Sequence, residues 1–101
     1  MKFELEVTSE NGVHARPAGS LALIAKKYPD LDINLTSNNG NVASAQSPLQ
    51  IMQLGLQQGD KVYVEISLRD ENKNNEDCEI VKEEIIEILG KSYQNSPSFQ
   101  M

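Results

Sequence analysis

The sequence predicts an α+β domain with element order β-α-β-β-α-β-α: a four-stranded antiparallel sheet, strand order 1-4-2-3, with three helices on one face. Three observations predict it. Four segments alternate apolar and polar residues, so each strand has one buried face and one wet face. Two further segments carry apolar residues at helical spacing, and a third opens with a serine cap followed by proline. The opening strand-helix-strand unit needs its two strands parallel with a gap between them, and the last strand fills that gap antiparallel to both.

In the first strand, residues 2–8, Phe3, Leu5 and Val7 face one way and Lys2, Glu4, Glu6 and Thr8 the other. Ser9-Glu10-Asn11-Gly12 is a turn. A helix opens near Arg16 and runs from Pro17 to Tyr28, because proline fits a first turn and Pro29 stops the last. Its core face is Ala18, Leu21, Ala22, Ala25 and Tyr28; the stripe Arg16, Gly19, Leu23 and Lys26 faces solvent. Leu31, Ile33 and Leu35 define the second strand. Asn39-Gly40 supplies the positive φ of a hairpin turn. Residues 41–45 return as a short third strand with Ala43 and Ala45 inward.

Ser47-Pro48 reads as an N-cap followed by proline at the first helical position, starting a short helix that ends near Gln53. Val62, Val64 and Ile66 define the fourth strand, and residues 70–76 are a polar connection. Cys78, Val81, Ile85 and Ile88 form one face of the last helix, which ends before Gly90. The expected domain is therefore residues 1–89, with 90–101 a flexible tail.

Bulk properties exclude several classes. A chain of 101 residues with formal charge −6 lacks the basic face of a nucleic-acid binder and does not suit an anionic membrane. One cysteine, Cys78, rules out an internal disulfide and a cysteine zinc cluster, and fits a reducing compartment. No apolar run approaches a spanning helix, and the N-terminus alternates instead of forming a signal-peptide core. The expectation is a cytoplasmic monomer without a cofactor: there is no Walker loop, no dinucleotide fingerprint and only one histidine to hold a metal.

That histidine is the centre of Asn11-Gly12-Val13-His14-Ala15-Arg16-Pro17. It lies just before a helix whose first backbone N–H groups lack internal partners and whose dipole places partial positive charge there. Such an end is a ready anion site. The ring beside it can act as a nucleophile. Arg16 can add charge-assisted hydrogen bonds to phosphate oxygens. Asn11 is placed to orient the ring through its other nitrogen. Taken singly, each residue also has a plain explanation: a polar loop residue, a surface cation, a helix starter, a turn.

The segment NGVHARPA followed by an amphipathic helix resembles the active-site segment of the histidine-containing phosphocarrier proteins, HPr, of the bacterial sugar phosphotransferase system. SNNGNVASAQSPLQIMQLGLQQGDKVYV is similar to that family's second segment, and together the likeness covers about residues 2–89. The resemblance implies an open-faced β-sandwich with sheet order 1-4-2-3. It implies a carrier, not a catalyst, that accepts phosphate from enzyme I on His14 Nδ1 and passes it to IIA units of sugar permeases. Arg16 and the helix start, with Ala15 and Pro17, would steady the phosphate. Ser47 would match the serine that a regulatory kinase phosphorylates in some bacteria. Gly19, Leu23, Lys26, Leu49 and Met52 would form the docking patch. Pro48 stands where the family usually has an aliphatic residue, and Leu23 and Gln50 where basic residues are common, so the cationic rim is thinner here.

A second class is an HPr-like regulatory module that docks partners according to phosphorylation state, with little transport role. A third, a small hydrolase such as an acylphosphatase, needs a phosphate-cradling loop with its arginine after the first strand; the turn here carries His14 and no fitting glycine-rich loop.

Overall fold

Period-two alternation decides the sheet. In the computed structural model, which describes residues 1–70 and 77–92, the strands are β1 (Lys2–Val7), β2 (Leu31–Ser37), β3 (Val42–Ser44), β4 (Lys61–Leu68) and β5 (Gly90–Ser92). The helices are α1 (Ala15–Lys27), α2 (Pro48–Gln53) and α3 (Cys78–Leu89). The sheet order is β3-β2-β4-β1-β5. β4 runs antiparallel to both β1 and β2, filling the gap the first crossover leaves.

Cross-strand register aligns the apolar residues of one face into rows. Phe3 faces Val64, which faces Leu35; Leu5 faces Val62, which faces Ser37. Phe3, Leu5, Val7, Leu35, Val62 and Val64 are all buried. The opposite face carries rows such as Glu4–Tyr63–Thr36; these residues are exposed or half-buried. The three helices supply the other half of the core through Ala18, Leu21, Ala22, Ile24 and Ala25 of α1, Ile51 of α2, and Val81, Ile85 and Leu89 of α3. Burying each large aliphatic side chain stabilises the fold by roughly 1.5–3 kcal/mol.

Several expectations hold in detail. Ala43 and Ala45 are inward, Gly40 takes φ +87° in the hairpin turn, and Leu23 is 68% exposed. Ser47 caps α2, its Oγ accepting the Gln50 N–H at 3.2 Å, with Pro48 in the first turn.

Three points differ. α1 begins two residues earlier than Pro17, because the His14 carbonyl already accepts the Ala18 N–H at 3.1 Å. Its core face includes Ile24, while Tyr28 is half-buried and donates its hydroxyl to Glu84 Oε2 at 3.3 Å. In α3 the buried stripe is Val81, Ile85 and Leu89; Cys78 and Ile88 are only partly buried.

The boundary of the expected tail is also corrected. Gly90, Lys91 and Ser92 pair antiparallel with Val7, Glu6 and Leu5, adding a fifth strand to the four expected. The Thr8 N–H donates to the Leu89 carbonyl at 3.0 Å as the chain turns onto the edge of β1. Gly90 passes so close to the Glu6 carbonyl that a Cβ there has no room. The rest of the expected tail, 93–101, and most of the polar connection, 71–76, lie outside the described residues.

Candidate functional site

The site is built on the turn between β1 and α1. Gly12 takes φ +68°, a conformation that disfavours any side chain, and a Cβ there would run into the Leu56 carbonyl. That close approach lets the Val13 N–H donate to the same carbonyl at 3.0 Å. Val13 is buried, so the turn is pinned from below. His14 is the next residue and emerges into solvent.

His14 is the N-cap of α1. Its backbone is extended (φ −99°, ψ −162°), and Nδ1 accepts the Arg16 backbone N–H at 3.4 Å. An accepting Nδ1 carries a lone pair, which places the ring proton on Nε2. The lone pair is thus held over the positive end of a 13-residue helix that has no acidic residue in its first turn. Pro17 has no N–H to offer, and the Ala18 N–H is taken by the His14 carbonyl. The remaining first-turn donors are the N–H of Ala15 and that of Arg16, which weakly holds Nδ1.

Arg16 is exposed, and among the described residues its guanidinium makes no ion pair or hydrogen bond. It borders an open recess of about 420 Å³ with His14, Asn11, Ser9, Ser20, Pro17 and Ile88. The structure therefore brings together His14, Arg16, Asn11 and Pro17. Asn11 shares the recess but makes no hydrogen bond to the ring; the ring is oriented by the Arg16 amide instead. Among the described residues no group of three or more His, Cys, Asp or Glu side chains gathers in metal-binding geometry.

The solvent stripe of α1 leads away from this end. Gly19 has open space where a Cβ would stand. Leu23 is 68% exposed and Leu49 62%, with Met52 also outward. α1 and α2 pack against each other, so these apolar side chains lie on neighbouring helices beside the exposed Lys26. Gln50 is turned back, its Oε1 accepting the Ser44 N–H at 3.0 Å.

Reasoning from residue pattern treats Gly12 as a turn residue only and places Ile88 in the core. The contact of Gly12 with Leu56 spans 44 residues of sequence and leaves no local signal. The two isoleucines and the leucine at 85, 88 and 89 leave the inward member ambiguous by one step of helix rotation.

The family profile described as "PTS HPr component phosphorylation site" matches residues 1–84. The chain belongs to the HPr phosphocarrier family. The phosphocarrier protein HPr of Vibrio cholerae is 44% identical over 61 residues, 60% of this chain and 69% of that protein. That of Buchnera aphidicola is 36% identical over 74 residues, 73% of this chain and 85% of its own. Among solved structures, HPr from Bacillus anthracis superposes with TM-score 0.71 at 22% identity, covering 88% of this chain and 95% of that one. HPr-C-His from Thermoanaerobacter tengcongensis gives 0.69 at 25%, covering 88% and 90%. The HPr fold is thus shared at an identity too low to speak for the site, and β5 lies beyond the segment the HPr profile matches. Among the described residues no helix is long and apolar enough to cross a membrane.

Proposed function

We propose that this HPr-family chain carries a phosphoryl group on His14 Nδ1, taking it from phosphorylated enzyme I and giving it to IIA units of sugar permeases. The observation that supports this most is the cap: Nδ1, and not Nε2, presents its lone pair above the helix start. In the forward step that lone pair attacks phosphorus in line, the donor's P–N bond breaks, and the electron pair returns to the donor ring. The Arg16 N–H, now resting on Nδ1, becomes free for a phosphoryl oxygen. The Ala15 N–H and the Arg16 guanidinium are within the same helix start and can donate to the same charge. Transfer to a IIA unit is the same displacement run from the other side.

Gly19, Leu23, Lys26, Leu49 and Met52 fit the partner-docking surface, with Arg16 and Lys26 as its cations. Ser47 is proposed as a regulatory phosphorylation site at the edge of that surface, where a phosphate would repel acidic partners; its Oγ already works as a cap.

Incubation with phosphoenolpyruvate and an active cognate enzyme I should add the mass of one phosphate in an acid-labile, base-stable form, and His14→Ala should abolish it. No gain in the wild-type chain contradicts the carrier reading. Docking of partners without any gain favours the regulatory module.

A further inference from the structure

Ile88 stands apart from the core stripe of α3. Val81, Ile85 and Leu89 are fully buried, whereas Ile88 is half-buried and borders both the His14 recess and a smaller hollow lined by Ile24, Glu84 and Glu87. In the His14 recess Ile88 and Pro17 are the apolar walls; the other lining residues are polar.

Its position is fixed from the C-terminal side. The last carbonyls of a helix ordinarily lack partners and the end frays. Here the Leu89 carbonyl accepts the Thr8 N–H at 3.0 Å. The next residue, Gly90, starts β5 on the edge of β1, in a space against the Glu6 carbonyl that admits no Cβ. The end of α3 is thereby clamped to the strand that leads into the His14 turn, two residues after Ile88.

We propose that Ile88, held by the β5 clamp, shields the phosphoryl group on His14 from water and so sets the lifetime of the phosphorylated protein between donor and acceptor. The proposal rests on the carrier reading above. The competing step is hydrolysis: a water oxygen attacks phosphorus, the P–Nδ1 bond breaks, its electron pair returns to the ring, and inorganic phosphate leaves with the water's protons shared between phosphate and ring. The recess is open and lined by Ser9, Asn11 and Ser20, whose polar groups can hydrogen-bond water. An apolar wall beside the phosphoryl group removes part of that water. Ile88 acts by position and makes no bond to the reacting atoms.

The test uses the full chain, phosphorylated with phosphoenolpyruvate and enzyme I, freed of enzyme, and followed by mass as phosphate is lost. Ile88→Ala and Ile88→Thr should shorten the half-life at least about threefold, a modest change in barrier. Ile88→Val, which has the shape of threonine without its hydroxyl, should restore most of it. Gly90→Ala, which unseats the clamp, should shorten it too. Unchanged half-lives in Ile88→Ala and Ile88→Thr, with or without slower transfer from enzyme I, overturn the proposal. An effect of Ile88 without one of Gly90 overturns the clamp. Absence of phosphate on the wild-type chain overturns the carrier reading itself, a result distinct from the other two.

Discussion

The two helices that flank the proposed docking surface start in nearly the same way and differ in what their starts leave open. Each has an N-cap side chain that accepts a first-turn N–H, and each has a proline in its first turn. In α2 the cap is Ser47, with Oγ at 3.2 Å from the Gln50 N. The Gln50 side chain then closes back on the Ser44 amide. In α1 the cap is His14, at 3.4 Å from the Arg16 N, with an exposed guanidinium beside it and no acid in the turn. Serine is among the best N-caps; imidazole is not one of the preferred groups. The start of α2 has its cap closed on the Gln50 N–H, while at the start of α1 a weakly held lone pair and a cation border a recess. A helix end that is poorly closed for stability is one that is open for an anion.

The largest expected effect tests what holds the open end in place. Gly12→Ala puts a Cβ into the Leu56 carbonyl at a positive φ and should cost at least about 2 kcal/mol in urea unfolding. A cost near zero would mean that the His14 turn is not braced there. Next, Ser47→Ala should lower stability by about 1 kcal/mol, the usual worth of a serine cap. A loss of only a tenth of that would make the contrast between the two ends illusory. Third, His14→Ser should raise stability by about 0.5–1 kcal/mol while ending phosphate uptake, because a better cap replaces a reactive one. A lower melting temperature would show that the imidazole closes α1 as well as a serine.

How much of this was legible in the sequence follows the range of the interactions. Alternation at Phe3, Leu5 and Val7, the Ser47-Pro48 start and the Asn39-Gly40 turn are local, and each appears where its pattern puts it. The strand at Gly90–Ser92 has no alternation, since it exists only because the edge of β1 is there to pair with. Gly12 reads as an ordinary turn glycine until Leu56 is seen beneath it. His14 and Arg16 were legible because their chemistry is local: one histidine, one helix start, one cation. The ring's orientation was not, because Asn11 and the Arg16 amide compete for it and only the backbone geometry of the cap decides.

The smallest expected effect concerns Ser37, which falls at an inward position of β2 opposite Val62. It is 6% exposed, and its Oγ has no hydrogen-bond partner among the described residues. Ser37→Ala should be neutral or stabilising by a few tenths of a kcal/mol, since removing a buried hydroxyl without a partner removes a desolvation cost. A loss above about 1 kcal/mol would show that the hydroxyl is bonded in solution.

The lone pair held over the start of α1 is the proposed acceptor of the phosphate. Nitrogen-15 and phosphorus-31 NMR on the enzymatically phosphorylated wild-type chain reads this directly. A single phosphoryl group is expected, with phosphorus coupled to Nδ1 of His14. Phosphate on Nε2, or on any residue other than His14, would contradict it.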